Sequence, residues 1–186
     1  YHPEIDTGIH TLMVLEQAAL LSTDPVVRFA ALMHDVGKGA IPKSKWPYLR
    51  GHEALGGDLI TTACKRLKAP NDFRDLARMT SLYHTHCHKA ASHCAEELLE
   101  TLEKTDAFRK PERFKQFLLA CEADARGRLG LEDVPYPQPE ILNKAFSASA
   151  NVESSVFIEQ GYKDAQIGEQ IRLKRLTLIQ EALEIS

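Results

Sequence analysis

Arg28-Phe29-Ala30-Ala31-Leu32-Met33-His34-Asp35-Val36-Gly37-Lys38-Gly39 is the stretch on which the reading of this chain turns. Apolar Phe29, Ala30, Leu32 and Met33 predict a helix face seated in the core, holding the adjacent imidazole and carboxylate of His34 and Asp35 at its edge. Upstream, Asp24-Pro25 has the form of an N-cap followed by proline at the first helical position, so the helix runs from there to about Val36. Downstream, Gly37, Gly39, Pro42, Pro47 and Gly51 make residues 37–51 a loop, placed where a loop walls a site. One helix earlier, His10 sits in Ile9-His10-Thr11-Leu12-Met13-Val14-Leu15. A His on one helix and a His-Asp pair on the next supply three ligands to a single divalent ion. A hydrogen-bonded core histidine and a helix-end carboxylate would explain His10 and Asp35 singly. The Gly37-Lys38 continuation favours the metal.

Working outward, nearly everything reads as helix. The first spans about 4–22, with Ile9, Leu12, Met13, Leu15, Ala19 and Leu20 on one apolar stripe. Others follow at about 52–67, 72–86, 93–107 and 112–126, with Asn71, Ser92 and Pro111 as start signals. Three prolines make 129–139 a second loop, and helices at about 139–149 and 164–184 finish the chain. No alternating strand, repeat or low-complexity tract appears, so the fold class is all-α. The expected division is a helical bundle over 1–128 and a helical extension over 129–186.

The 186 residues suffice to bury a real core, and 44% hydrophobic with 26% charged residues is ordinary for a globular protein. A net charge of −3 excludes general attraction to nucleic acid, so RNA contact would need a local basic patch. Cys64, Cys87, Cys94 and Cys121 show no CxxC pairing and read as thiols of a reducing cytosol. No apolar run approaches the ~18 residues that span a bilayer, and no signal-peptide pattern is present. The expected location is cytoplasmic. The chain begins at Tyr1 without an initiator Met, which suits a piece of something longer.

Three further places offer groups to close the site. Gly51-His52-Glu53 opens a helix just past the loop; Tyr83-His84-Thr85-His86-Cys87-His88 ends one; and a late carboxylate, either Asp106 or Asp124, lies further on. Two imidazoles with two carboxylates make a mixed N/O site suited to Mg, Mn, Fe, Co or Ni, with positions open to water and a phosphate oxygen. Such an ion lowers the pKa of its water and offsets charge on a phosphoryl group, and Lys38 adds a cation for the same phosphate. His84, His86, His88 and His93 with Cys87 and Cys94 hint at structural zinc, but no second pair falls at zinc-finger spacing. The expectation is that His84 faces the site while His86, His88 and His93 lie on a polar turn. The basic spots at 109–113, 126–128 and 172–175 read as solvated helix faces. Trp46 with Tyr48 makes a weak stacking signal for a base, and no nucleophile elbow supports a Ser-His-Asp hydrolase.

His10, then His34-Asp35, then a late Asp on an all-helical chain resembles the HD-domain metal-dependent phosphohydrolases. The stretches at 1–12, 51–53, 72–78, 106–113 and 122–128, and the tail from Gly161-Tyr162-Lys163 to Gly168, are similar to the C-terminal HD half of bacterial multifunctional CCA-adding enzymes (tRNA nucleotidyltransferases). The resemblance covers most of the chain. It implies phosphatase, 2′-nucleotidase and 2′,3′-cyclic phosphodiesterase activities, dependent on a divalent metal (Mg, Mn, Co or Ni), on tRNA 3′ ends or small nucleotides. It also implies an N-terminal nucleotidyltransferase domain in the parent chain, whose Gly-rich strand and paired-Asp site are not in this sequence.

Position by position, the resemblance makes His10, His34 and Asp35 the first three metal ligands. It makes Asp106 the fourth, because its distance along the chain from His34 suits a compact HD core better than that of Asp124. In that case Asp124 caps or hydrogen-bonds the Arg126 and Arg128 region. Lys38, His52 and His84 become the residues acting on the phosphate, the last two by binding it, protonating the leaving oxygen or holding a second ion. Family members often carry Asp straight after the His at 84. This chain has Thr85, so His84 acts without a paired carboxylate. Two other readings compete: a non-catalytic tRNA-binding or dimerisation module, and a stand-alone HD nucleotide phosphohydrolase. The stripe Ile167, Ile171, Leu178 and Ile179 of the last helix serves either the core or a homodimer.

Overall fold

A computed structural model describes residues 6–46 and 49–184. Tyr48 of the expected stacking pair, the loop's Pro47 and the start of the first helix at residue 4 lie outside the described residues. Nine α-helices and no strand occur among those described. The first is α1 (Thr7–Leu21), and α2 is Pro25–Met33; short 3₁₀ turns follow at Val36–Ala40 and Lys43–Lys45. Next come α3 (His52–Leu67), α4 (Asn71–His88), α5 (Ala95–Lys104), α6 (Pro111–Arg126), α7 (Gln138–Ser149), α8 (Ser155–Glu159) and α9 (Ala165–Glu184).

Local chemistry sets the helix starts. Asp6 caps α1 by accepting from the Gly8 and Ile9 amides. Asp24 caps α2 by accepting from the Val26 amide at 2.8 Å, with Pro25 in the first turn. Its second oxygen accepts from Gln116 Nε2 at 2.7 Å, tying the start of α2 to α6. Ser92 does not cap the fifth helix. It ends a 3₁₀ turn, and Cys94 opens α5 in a capping box with Glu97. The short α8, within a stretch the sequence leaves unassigned, is too brief to show a periodicity.

Helix α2 packs on α4, α1 and α6, and α3 packs on α4 and on the turn at 36–40. The main core joins Val27, Ala30, Ile60, Leu76, Leu98, Leu102, Phe114 and Phe117. Leu142 and Ala145 of α7 and Ile179 of α9 belong to that same core, so burial runs continuously across residue 128. Of the last helix's stripe Ile179 is fully buried, while Ile167, Ile171 and Leu178 are half-buried.

One expected face turns out differently, and a second departs at a single residue. Helix α1 buries His10, Val14 and Ala18, whereas Ile9, Leu12 and Leu20 are 57%, 66% and 75% exposed. The reason is close approach: a Cβ on Gly127, at the end of α6, would lie 2.6 Å from Val14 Cα and 2.7 Å from its N, and a near-contact of backbones admits only small side chains. On α2 Ala30 is buried and Phe29 and Met33 pack half-buried on the core as expected, with Val26, Val27 and Ala31 buried beside them; only Leu32, 40% exposed, lies off that face. Ala31 joins Val14, Ala18 and Ala123 in a small second core between α1, α2 and α6.

Candidate active site

The last turn of α2 ends on His34, and the chain passes through Asp35 into the 3₁₀ turn that carries Lys38. That turn is pressed against the start of α3, since a Cβ on Gly37 would meet the His52 carbonyl at 1.9 Å and the Gly56 amide nitrogen at 2.6 Å. The sharp join therefore fixes Asp35 and Lys38 relative to His52. His10 comes from the first turn of α1, His84 and His88 from the last turns of α4, and Asp124 from the last turn of α6. His10, His34, Asp35, Lys38, His52, His84 and Asp124 are all buried.

Four imidazoles are oriented in one way. Nδ1 of His10 bonds to the Gly127 carbonyl at 3.0 Å, that of His34 to Ala31 at 2.7 Å, and that of His52 to Leu49 at 2.8 Å; Nδ1 of His84 reaches Thr80 at 3.0 Å. Each carbonyl can only accept, so each Nδ1 carries the proton and each Nε2 faces inward. His10 Nε2 lies 3.1 Å from Asp124 Oδ1, and His34 Nε2 lies 3.1 Å from Asp35 Oδ2 and 3.6 Å from Asp124 Oδ1. On the other side of Asp35, Oδ1 is 3.4 Å from His52 Nε2 and 3.7 Å from His84 Nε2. Two groups of donors result, His10 with His34 and Asp124, and His52 with His84 and Asp35; each set of ligand atoms falls within 4.8 Å. His34 Nε2, His52 Nε2 and Asp35 Oδ1 are buried without an aligned hydrogen-bond partner among the described residues. Orphaned inward nitrogens with outer nitrogens held by carbonyls are the arrangement of metal-ligating histidines. The donor set fits a divalent ion.

Charge and burial pull hard on these groups. Burial opposes a charged His34, but Asp124 and then Asp35 outweigh it and raise its pKa from 6.5 to about 9. Burial pushes His84 down to about 3, only partly offset by Asp124, so its imidazole is neutral at pH 7. Burial also opposes the Asp35 and Asp124 charges, yet His34 beside both keeps each far below the usual carboxylate range. Burial opposes a charged His52, but the Asp35 carboxylate facing its Nε2 and the Leu49 carbonyl accepting from its Nδ1 outweigh it and raise its pKa.

Above these groups lies a cavity of ~360 Å³ with Lys38, Arg50, His52, His84, His88 and Arg128 among its walls. Lys38 Nζ donates to Asp35 Oδ2, and Arg128 stands 3.5 Å from Asp124 Oδ1. Lys38, Arg50 and Arg128 thus stand in the wall beside a buried carboxylate and imidazole cluster, with Glu53 at the same cavity, and these three cations offer partners to an anionic guest.

An HD domain profile matches residues 7–116. The chain belongs to the HD-domain family. HD domains form a superfamily of metal-dependent phosphohydrolases. The chain is similar to proteins named Multifunctional CCA protein, at 49% identity over 96% of its length for that of Hahella chejuensis, 51% over 96% for Pseudomonas fluorescens and 50% over 98% for Nitrosococcus oceani. It spans 42%, 44% and 45% of those relatives respectively, less than half of each. No solved structure matches it.

The HD pair, His34-Asp35, lies with His10, Lys38, His52 and His84 in one cluster. Asp106 is not in it. It sits in the turn between α5 and α6 with a φ of 54°, where its carboxylate accepts from Arg113 at 3.2 Å and faces Arg109 at 3.6 Å. The carboxylate that the fold delivers to His10 and His34 is Asp124. His88 also departs from expectation. Its Nε2 lies 2.6 Å from Asp124 Oδ2 and its Nδ1 2.7 Å from the Tyr136 hydroxyl, so it braces the Asp124 carboxylate instead of lying on a polar turn. The i,i+4 spacing of His84 and His88 on one helix is the signal for it. Arg128, four residues after Asp124, likewise turns toward the cavity instead of being a solvated basic spot. Arg50 and Tyr136 carry no pattern that marks them from sequence.

Proposed function

We propose that this chain is the HD phosphohydrolase part of a tRNA CCA-adding enzyme. Its reactions would be hydrolysis of 2′,3′-cyclic phosphodiesters, 2′-phosphates and other phosphomonoesters at tRNA 3′ ends or on small nucleotides. The observation that carries this reading is the set of inward Nε2 atoms converging on Asp35 and Asp124 beneath a cavity that Lys38, Arg50 and Arg128 help to line. Its relatives' name, Multifunctional CCA protein, supplies the tRNA context. The N-terminal nucleotidyltransferase domain would belong to the rest of such a parent chain, and cytoplasmic residence suits its four free cysteines.

His10, His34, Asp35 and Asp124 would hold the divalent ion, with Mg, Mn, Co and Ni all admitted by this N/O donor set. Such an ion supplies Lewis acidity toward the phosphoryl oxygen and a water acidic enough to attack at neutral pH. The chain's own groups do the rest. Lys38, Arg50 and Arg128 neutralise the oxygens of the phosphate and stabilise the charge that grows there. His52, whose Nε2 is raised in basicity beside Asp35, holds a proton for the leaving ribose oxygen. His84 presents a neutral Nε2 toward the same space. His88, held by Tyr136, keeps Asp124 in register with His10.

The test is hydrolysis of 2′,3′-cyclic AMP and 2′-AMP by the metal-stripped chain, then with Mg, Mn, Co or Ni restored. Turnover that returns with metal and vanishes in Asp35→Ala is the expected result. Silence with every metal from a folded protein would instead assign it a tRNA-binding or assembly role. Metal content measured alongside should give one ion per chain, and two would make His52 and His84 ligands.

A further inference from the structure

Next to the active-site cavity lies a second one, of ~310 Å³, which the reaction described above does not use. The end of α4 contributes Thr85, His86 and Lys89, the following turn Ser92 and His93, and α5 contributes Glu97 and Glu100. Thr85 lines both cavities, so the two adjoin at α4, with His84 lining the first and His86 the second. Nδ1 of His86 and Nδ1 of His93 are buried without a hydrogen-bond partner among the described residues. Tyr83 packs edge-on against the His86 ring at 5.6 Å, which fixes that ring's orientation. Buried imidazole nitrogens left unpaired are costly unless a ligand satisfies them.

We propose that this second cavity is a nucleoside subsite, which holds the nucleotide upstream of the phosphate being hydrolysed and makes an RNA end the preferred substrate over a mononucleotide. The inference rests on the phosphohydrolase reading. The chemistry of the walls selects the guest. Glu97 and Glu100 in the lining disfavour a bare second phosphate. Their charges are engaged, Glu97 by the Cys94 amide at 2.9 Å and Glu100 by Lys104 at 2.7 Å, so the cavity is polar without being strongly anionic. Hydroxyls, imidazoles and carboxylates together match the donors and acceptors of a base edge and a ribose, and RNA-binding sites stack bases on rings such as histidine. Exposed Lys89 at the rim suits the phosphodiester that would join the two nucleosides. The volume is at the lower end of the range for small-molecule pockets, about 300–1,000 Å³, and accommodates one such unit.

The experiment compares 2′,3′-cyclic AMP with adenylyl-adenosine ending in a 2′,3′-cyclic phosphate, using the full chain with its activating metal. The wild type is expected to favour the dinucleotide by about tenfold in kcat/KM, through KM, as one stacked and hydrogen-bonded base provides. His86→Ala and the exposed Lys89→Ala should each move that ratio toward one while mononucleotide turnover stays unchanged; Lys89→Ala keeps the test sound if His86→Ala folds poorly. A ratio near one in the wild type, or one unmoved by both variants, overturns the subsite and leaves the phosphohydrolase reading intact. If neither substrate turns over with any metal, that reading fails and binding decides the subsite alone. ApA must then shift the His86 and His93 imidazole NMR signals where AMP does not, and equal or absent shifts overturn it.

Discussion

Asp106 and Asp124 are both carboxylates near a helix end, and what separates them is the company each keeps. Asp106 faces two arginines in a left-handed turn, while Asp124 is buried among His10, His34, His88 and Arg128. Asp106→Ala should therefore leave hydrolysis and metal content unchanged and cost about 1 kcal/mol of stability, since alanine tolerates φ of 54° less well than aspartate. Asp124→Ala should abolish both activity and metal retention; metal analysis and denaturant unfolding read the two effects separately. The histidines also give the metal-free protein a defined pH dependence. Between pH 6.5 and about 9 the folded chain keeps a proton on His34 that the unfolded chain has lost, so stability falls as pH rises, by about 3 kcal/mol across that window. Between about pH 3 and 6.5 the unfolded chain protonates His84 while the folded chain does not, so stability falls as pH drops. Metal-free Tm should peak near pH 6.5. A flat profile from pH 6.5 to 9 would show that His34 is not held charged between Asp35 and Asp124.

Helix packing around the site depends on glycines that let backbones meet. Gly127 abuts Val14, and this contact brings α6, with Asp124, against α1, with His10. Gly127→Ala should force those helices apart, lower stability by about 1–3 kcal/mol, and weaken metal binding. Gly39→Ala is the matched control, because a Cβ there meets nothing within 4 Å. Chemical denaturation and metal titration of both variants measure this. The same close approach explains why the apolar stripe read on the first helix is not the buried one. Period alone locates a face that is greasy, whereas the near-contact with Gly127 falls at Val14 and leaves Leu12 and Leu20 outside. The cap of α2, by contrast, was legible: Asp24-Pro25 starts the helix because the Asp side chain satisfies an orphan amide and proline lacks one to lose.

Across the whole molecule one core unites the bundle and the chain beyond residue 128. Leu142, Ala145 and Ile179 pack with Leu98, Leu102 and Phe114, and Arg175 covers the Phe108 ring at 3.6 Å. Arg172 pairs with Glu96 and Glu103 of α5, adding a surface tie between α9 and the bundle. Ile179→Ala should cost about 2–4 kcal/mol, with a single unfolding transition seen identically by far-UV circular dichroism and Trp46 fluorescence. Two separated transitions would mean that α7 to α9 fold as a unit of their own. Among the described residues no helix is long and apolar enough to cross a membrane.

The sequence by itself determined the all-α class, the helix starts at Asp24 and Pro111, and the grouping of His10, His34 and Asp35 with Lys38. These follow from short-range rules: hydrophobic period, side-chain caps, and the chemistry of a His-Asp pair beside a loop. Membership in the HD family rested on the same local motifs. Only the tertiary structure set Asp124, and not Asp106, beside His10 and His34, turned His88 onto it through Tyr136, brought Arg50 and Arg128 over the cluster, and placed a second cavity across Thr85. Those choices depend on helix rotation and on which ends meet. They are set by the close contact of Gly127 with Val14, far apart along the chain, and of Gly37 with His52 across the intervening loop, which no local pattern encodes.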